Sequence, residues 1–204
     1  MKKLWFLAVF VPVFLWSFLF PKDYFIWFLE VLPVFIALII MVLTYKKFPL
    51  TPLLYVLILI HMIILMVGAH YTYAEVPLFD WIREVFEQSR NNYDKVGHFA
   101  QGFVPAILAR EILIRKQIVH GTKLWLNYII LSIILAFSAF YELIEWWVAL
   151  AAGEEAEAFL SMQGYIWDTQ SDMGYALFGG IIALLLLSKI HDKQLNLLSE
   201  STTA

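Results

Sequence analysis

Six long apolar stretches dominate the chain, and short segments between them hold most of the polar residues. They cover approximately residues 4–20, 24–43, 52–69, 94–114, 124–150 and 168–189. About 20 mostly apolar residues suffice for a helix to cross the hydrocarbon core of a bilayer. The pattern therefore predicts an all-α fold: a polytopic membrane helix bundle with six transmembrane helices. We expect a single transmembrane domain over residues 1–190 and a short, frayed cytoplasmic tail over residues 191–204.

The distribution of Lys and Arg predicts the orientation of these spans. With the N-terminus inside, ten of the 14 basic residues lie on the inner side, and Lys22, Arg83, Arg90 and Lys95 lie on the outer side. An excess of basic residues in short loops marks the cytoplasmic face. Both termini are therefore expected in the cytoplasm, and the acidic stretch 153–159 is expected outside. The first stretch resembles a signal peptide but lacks a cleavage site before Pro21, so we interpret it as a retained span.

One outer segment has the pattern of a short amphipathic helix. Between the third and fourth spans, Leu78, Ile82 and Val85 recur at helical spacing, whereas Asp80 and Arg83 occupy the other face. Such a helix lies in the membrane interface. It would serve either as a surface cover that seals the bundle or as a lid over a site.

Composition narrows the class of protein further. Hydrophobic residues make up 62% of the 204 residues, against about 45–50% in an average soluble domain. The formal net charge of −3, without a basic patch, gives no reason to expect a nucleic-acid partner. The chain contains no cysteine, which excludes disulfides, thiolate metal ligands and cysteine nucleophiles.

Three pairs of ionisable residues are the strongest candidates for chemistry. Each pair has a spacing of three or four residues, so that its members share one face of a helix. The pairs are Asp94 and His98 at the start of the fourth span, Glu142 and Glu145 near the end of the fifth, and Asp168 and Asp172 at the start of the sixth.

The predicted topology brings these pairs to one depth. The fourth and sixth spans enter from outside, whereas the fifth enters from inside near Leu124. Glu142 follows after roughly 27 Å of helix at 1.5 Å per residue, in a hydrocarbon core that is ~30 Å thick. All three pairs are therefore expected just inside the outer boundary.

Five carboxylates and one imidazole at one level predict a functional site. A hard divalent cation would relieve the repulsion between like charges, so all six residues are candidate ligands of one divalent metal ion of unknown identity. Alternatively, Glu142 and Glu145 would act as general acid and base. The structural interpretations also stand: Asp94 and Asp168 as helix caps, His98 as a hydrogen-bonded bundle residue, and Lys95 as a counter-ion for one acid.

Other polar positions have simpler explanations. His70 could reach the site, whereas His61 is expected to be packed and hydrogen-bonded. Arg110 and Glu111 are expected to form a solvated or snorkelling pair at the inner face. Gly174, Ala176, Gly179 and Gly180 give the sixth span a face of small residues, which favours close helix packing.

The motifs YDKVGHFAQGF, YELIEWW and WDTQSDMGYALFGG resemble those of the bacterial YjdF-type inner membrane proteins, and this resemblance covers essentially the whole chain. More distantly, the chain is similar to VanZ-like proteins, which share an Asp-Lys-x-x-His start to one helix, a glutamate on the next and an aspartate-rich start to the last. It lacks the arginine that they tend to carry just before the last helix. The resemblance implies a six-helix, multi-pass protein of the bacterial inner membrane with an outward-facing polar motif.

Three functions remain open from the sequence. The first is a metal-assisted enzyme that acts on a lipid or a lipid-linked envelope substrate. The second is a transporter that uses the same acids as a proton or cation site, although the inner half of the predicted bundle offers no matching acids. The third is a structural or partner-binding membrane protein. Membrane lipids are the expected partners, and the sequence does not indicate an oligomeric state.

Overall fold

The computed structural model describes residues 4–152 and 165–203, and these form seven α-helices without a β-strand. The acidic stretch predicted at 153–159 lies outside the described residues. The helices are α1 Leu4–Phe18, α2 Tyr24–Thr44, α3 Pro52–His70, α4 Pro77–Val85, α5 Tyr93–Arg115, α6 Lys123–Ala152 and α7 Asp168–Thr203. The all-α class is confirmed, and each predicted span corresponds to a helix.

Four of the helices in the described part of the chain, α2, α3, α6 and α7, are long and apolar enough to cross a membrane. At 15 residues α1 is shorter, and α5 has 23 residues but carries more polar side chains. The structure therefore supports several membrane-spanning helices, while the count of six stays a prediction.

Polar side chains fix where the early helices begin. The carboxylate of Asp23 accepts hydrogen bonds from the backbone N–H groups of Phe25 and Ile26, at 2.7 and 2.9 Å. The hydroxyl of Thr51 caps α3 in the same way, with Pro52 in the first turn. These contacts satisfy donors that a helix start leaves without an intrahelical partner.

The helix order around the bundle places α3 and α5 at its centre. α3 packs against α1, α2 and α5, whereas α5 packs against α3, α6 and, most extensively, α7. The buried core follows these contacts, with Leu54, Met66, Ile107 and Ile130 fully enclosed. By contrast, many large apolar side chains on the outside of the helices are exposed, as expected for surfaces that face lipid.

Two glycines allow the close packing of α5 on α7. A Cβ atom built on Gly102 would lie 1.7 Å from the carbonyl oxygen of Ala176, and one on Gly179 would lie 2.1 Å from that of Phe99. The prediction of close packing through the small face of the last span is confirmed at Ala176 and Gly179. Gly174 takes no part, because a Cβ there would have no described atom within 4 Å.

The chain end differs from the sequence prediction. Instead of fraying at His191, α7 continues to Thr203, and the side chain of His191 is fully buried. At 36 residues α7 is about 54 Å long, more than the ~30 Å of a hydrocarbon core. His191, Asp192 and Gln194 have hydrogen-bond partners on other parts of the bundle, which hold this part of the helix in place.

The short helix predicted between the third and fourth spans is present as α4. Leu78, Trp81 and Val85 are more than half exposed, as is Phe86, which follows the helix. Asp80 and Arg83 form an ion pair at 3.4 Å on the polar side. This arrangement suits a helix that lies in the membrane interface.

Candidate functional site

The candidate site lies at the end of the bundle where α5 and α7 begin, which we call the site end. Asn91 is buried there and ties α5 to α4: its amide donates to the carbonyl oxygen of Val76 and to the carboxylate of Asp80, both at 3.1 Å. Its own carbonyl oxygen accepts from the backbone N–H of Tyr93 at 3.1 Å. This side chain therefore sets the position at which α5 starts.

Two cations and three carboxylates form a buried network at the site end. Arg90 donates to Asp168 at 2.6 Å and pairs with Asp94. The Nζ atom of Lys95 lies 2.7 Å from carboxylate oxygens of both Asp168 and Asp172, and 3.3 Å from Asp94. We call these five residues the ion-pair network; it carries one more negative than positive charge.

The network holds its cations firmly in their charged form. Arg90 precedes α5, and although burial lowers the pKa of its guanidinium, the nearby carboxylates of Asp94 and Asp168 outweigh this effect and raise the pKa above its ordinary value. Arg90 and Lys95 also lie over the ring of Tyr165, each 5.6 Å from its centroid. These contacts leave Asp94 and Asp168 already neutralised by protein groups.

A second group, the carboxylate–histidine triad, consists of His98, Glu142 and Asp172. His98 Nδ1 lies 3.8 Å from Glu142 Oε1, and His98 Nε2 lies 3.7 Å from Asp172 Oδ2. One ligand atom from each residue can be chosen so that all lie within 4.8 Å of one another. The triad shares Asp172 with the ion-pair network.

The hydrogen bonds of the triad leave two acceptor atoms, His98 Nε2 and Asp172 Oδ2, facing each other at 3.7 Å. Gln101 presents its side-chain oxygen 3.0 Å from His98 Nδ1, so that nitrogen carries the proton and Nε2 presents a lone pair towards Asp172. Thr169 is hydrogen-bonded to the carboxylate of Glu142, whose Oε1 atom is buried without a hydrogen-bond partner among the described residues. A buried carboxylate oxygen without a hydrogen-bond partner destabilises the folded protein unless a cation or a proton binds to it.

Five of the six predicted site residues thus belong to these two groups. Asp94 and Asp168 belong to the ion-pair network, His98 and Glu142 to the triad, and Asp172 to both. The remaining member, Glu145, is half-buried one turn further along α6. Asp94, Asp168 and Asp172 also approach closely enough to hold a metal, but Arg90 and Lys95 already occupy that position.

Sequence analysis missed several residues near the site. Arg90 was counted only for topology, and Gln101 was not considered. Glu30 of α2 is buried and accepts a hydrogen bond from Tyr73; an acid inside an otherwise apolar span was a visible signal. His70, which the sequence analysis named as a residue that could reach the site, instead lies 3.0 Å from the carbonyl oxygen of Ser17 and stacks on Trp16.

A second polar cluster lies at the opposite end of α5, beside the second half of α7, where the sequence predicts a solvated or snorkelling Arg110–Glu111 pair. That expectation is wrong, since both residues are buried. Glu111 accepts from the Thr51 hydroxyl at 2.8 Å and from Arg115 at 2.7 Å, and lies 3.0 Å from His191 Nε2. The carboxylate avoids solvent because four groups on three helices satisfy it, counting the Thr51 backbone N–H.

Arg110 completes this cluster from the other side of His191. Its guanidinium lies 2.9 Å from His191 Nδ1 and 2.5 Å from Asp192. The side-chain oxygen of Gln194 accepts from the backbone N–H of Leu53 at 2.8 Å. The opposite-end cluster consists of Thr51, Arg110, Glu111, Arg115, His191 and Asp192. It joins the start of α3 and the end of α5 to the second half of α7.

In the described part of the chain, seven helices, four of them able to cross a bilayer, define a polytopic α-helical membrane protein. Its polar groups are concentrated at the two ends of the α5–α7 pair. The chain belongs to the family described as predicted membrane protein (DUF2238), whose model matches residues 2–193.

A relative from Escherichia coli (strain K12), inner membrane protein YjdF, is 52% identical over 169 residues, which cover 83% of this chain and 80% of that protein. The resemblance to YjdF-type proteins is therefore confirmed, and on this similarity the chain is a protein of the inner membrane. No solved structure matches. The more distant similarity to VanZ-like proteins stays a prediction.

Proposed function

We propose that this protein is a membrane-embedded, metal-assisted enzyme that acts on a lipid or a lipid-linked envelope substrate in the outer leaflet. The observation that carries the proposal is the buried Oε1 atom of Glu142, which lacks a hydrogen-bond partner among the described residues and lies beside His98 and Asp172. A divalent cation held by one ligand atom from each of these three residues would satisfy the Glu142 carboxylate.

The proposed topology has six spans with both termini in the cytoplasm. Four helices are long and apolar enough to span, and α1 and α5 complete the set. The excess of Lys and Arg in the loops at the opposite end supports a cytoplasmic location for that end. The site end then opens towards the outer leaflet, where α4 would lie along the membrane surface.

The donor set of the triad fits a metal that takes nitrogen and oxygen ligands. One imidazole and two carboxylates are compatible with zinc, iron or manganese. Three protein ligands leave positions for water or a substrate oxygen, as in many catalytic metal sites. A metal there would activate water or polarise a phosphoryl or carbonyl oxygen.

Neighbouring residues would hold the ligands in place. Lys95 fixes Asp172 through Oδ1, which leaves Oδ2 directed at His98. Gln101 orients the imidazole through Nδ1 and leaves Nε2 open. Contacts of this kind set the orientation and tautomer of metal ligands. Glu145, one turn from Glu142, would be the acid or base that transfers a proton.

Metal analysis of the full chain, purified in detergent, tests the proposal. We expect close to one equivalent of a divalent metal, and at least a tenfold loss in Glu142→Gln and Asp172→Asn. The matched control is Asp192→Asn, which removes a carboxylate from the opposite-end cluster and should retain the metal. Protein that stays metal-free after incubation with zinc, manganese or iron would contradict the proposal.

A second candidate is a proton- or cation-coupled transporter. The opposite-end cluster favours it, because Glu111 and His191 are ionisable groups buried between the helices at that end. The tight crossing at Gly102 and Ala176 argues against a route directly between α5 and α7. Uptake driven by a proton gradient in proteoliposomes, abolished by Glu111→Gln, would favour transport over the enzyme.

A further inference from the structure

A cavity of about 690 Å³ lies beside the ion-pair network at the site end. Pockets that bind small molecules usually measure about 300–1,000 Å³. One part of its wall is aromatic, with Phe79, Phe99, Tyr165 and Tyr175. The cavity therefore has the size and the apolar surface to take the first carbons of a lipid chain together with a small polar head.

The polar part of the wall carries positive charge. Arg90 and Lys95 line the cavity, whereas none of the carboxylates in the described residues does. The acids that pair with these cations do not line the cavity, so an anion bound there would contact the cations and not the carboxylates. Ser89, Asn92 and Ser171 add neutral donors to the same wall.

The cavity adjoins the triad through a single side chain. Lys95 lines the cavity and donates to Asp172 at 2.7 Å; the other oxygen of Asp172 faces His98. A head group held by Lys95 would therefore be separated from the proposed metal position only by the side chain of Asp172. The aromatic wall would direct its apolar chain away from the charges.

We propose that this cavity binds the phosphate head group of an amphiphile. Two cations and three neutral donors surround a space that suits a group with several acceptor oxygens and more than one negative charge, which a phosphate monoester provides. The inference names the substrate class for the proposed function and rests on it for any catalytic consequence. Binding itself does not require the metal.

The test measures binding of octyl phosphate to the full chain in phosphatidylcholine nanodiscs by calorimetry, with empty nanodiscs subtracted. Ser171→Trp and Val96→Phe each fill the cavity without removing a charge. We expect both variants to weaken octyl phosphate binding at least tenfold. The matched control is Gln170→Trp, because Gln170 is exposed beside Ser171 and does not line the cavity; its affinity should equal that of the unchanged protein.

Two further probes define the head group. Octyl glucoside should bind at least tenfold more weakly than octyl phosphate, and so should octanoate. Displacement of octyl phosphate by dihexanoyl phosphatidic acid would indicate a phospholipid as the ligand. Displacement by farnesyl phosphate would indicate a prenyl phosphate, and either result supports the proposal. Equal binding of octyl glucoside or octanoate, or full affinity in both cavity-filling variants, would overturn it.

Metal content measured on the same samples separates this inference from the proposed function. The cavity-filling variants should retain the metal, since none of the triad residues is altered. If they retain both the metal and octyl phosphate affinity, the cavity assignment fails while the enzyme proposal stands. If octyl phosphate binds normally to protein that never takes up metal, the cavity assignment stands and the proposal of a metal-assisted enzyme fails.

Discussion

Gly102 of α5 and Ala176 of α7 approach so closely that a Cβ atom on Gly102 would lie 1.7 Å from the Ala176 carbonyl oxygen. Real Cβ atoms essentially never come within 3.0 Å of another heavy atom. Backbone therefore packs directly on backbone at this crossing. The same crossing fixes the distance between Asp94 and His98 on one helix and Asp168 and Asp172 on the other.

We predict that Gly102→Ala destabilises the protein, although alanine normally favours a helix by about 1 kcal/mol over glycine. The clash is with backbone, which a side-chain rotation cannot relieve, so we expect a net cost of about 1–3 kcal/mol. Thermal unfolding in detergent, followed by the fluorescence of the eight tryptophans, measures it. Gly174→Ala is the control and should leave the midpoint unchanged or slightly higher; an unchanged midpoint in Gly102→Ala would contradict the packing.

Much of this architecture was predictable from the chain because hydrophobic runs and helix stops are local signals. The six apolar stretches correspond to α1, α2, α3, α5, α6 and α7, and the amphipathic pattern around Leu78 and Val85 corresponds to α4. Small residues in the last span also indicated close packing. Among these small residues, Ala176 contacts Gly102 on the partner helix. The sequence alone does not identify this glycine, because the contact depends on how each helix is rotated about its axis.

The polar residues were harder to assign because their state depends on partners far along the chain. Asp94 and Asp168 were candidate metal ligands or helix caps; their ion pairs with Arg90 could not be predicted, because Arg90 lies in a loop whose path no periodicity predicts. Glu111 was expected to be solvated or to snorkel, yet it is fully buried. One of its partners, His191, lies 80 positions along the chain on a segment that was expected to be frayed, so this contact could not be predicted. Such pairings require the tertiary structure.

Lys95→Met should destabilise the protein strongly, by about 3–5 kcal/mol, because it leaves buried carboxylates of Asp168 and Asp172 short of a cation. The double variant Lys95→Met/Asp168→Asn should recover part of that loss, because it removes one uncompensated charge together with the cation. Thermal unfolding of the two single variants and the double variant measures the coupling. Strictly additive effects would show that Lys95 and Asp168 do not interact.

The proposed topology predicts which positions a membrane-impermeant maleimide reaches. The chain has no cysteine, so single cysteines can be introduced into an otherwise unreactive background. In intact cells with a permeable outer membrane, Glu84→Cys in α4 should be labelled. Lys46→Cys, in the loop after α2, should be labelled only after the inner membrane is opened. The reverse pattern would place the site end in the cytoplasm and contradict an outer-leaflet substrate.

Within the opposite-end cluster, we predict that the two acids differ greatly in importance. Glu111 is fully buried with four donors, so Glu111→Ala should cost about 3–5 kcal/mol of the free energy of unfolding. The side chain of Asp192 is 41% exposed, and Asp192→Ala should cost about 1 kcal/mol or less. Comparison of their unfolding midpoints tests this difference, and equal losses would contradict the assigned burial.

The contacts of His191 predict one tautomer of its ring. Arg110 has only donors, so His191 Nδ1, at 2.9 Å, must accept, and the proton must lie on Nε2, which donates to Glu111 at 3.0 Å. We expect ¹⁵N spectra of histidine-labelled protein to show a protonated Nε2 and an unprotonated Nδ1 for His191. Arg110→Met removes the donor at Nδ1 and should release this constraint, so that the other tautomer becomes detectable. A protonated Nδ1 in the unchanged protein would contradict the Arg110 contact and the link it provides between α5 and α7.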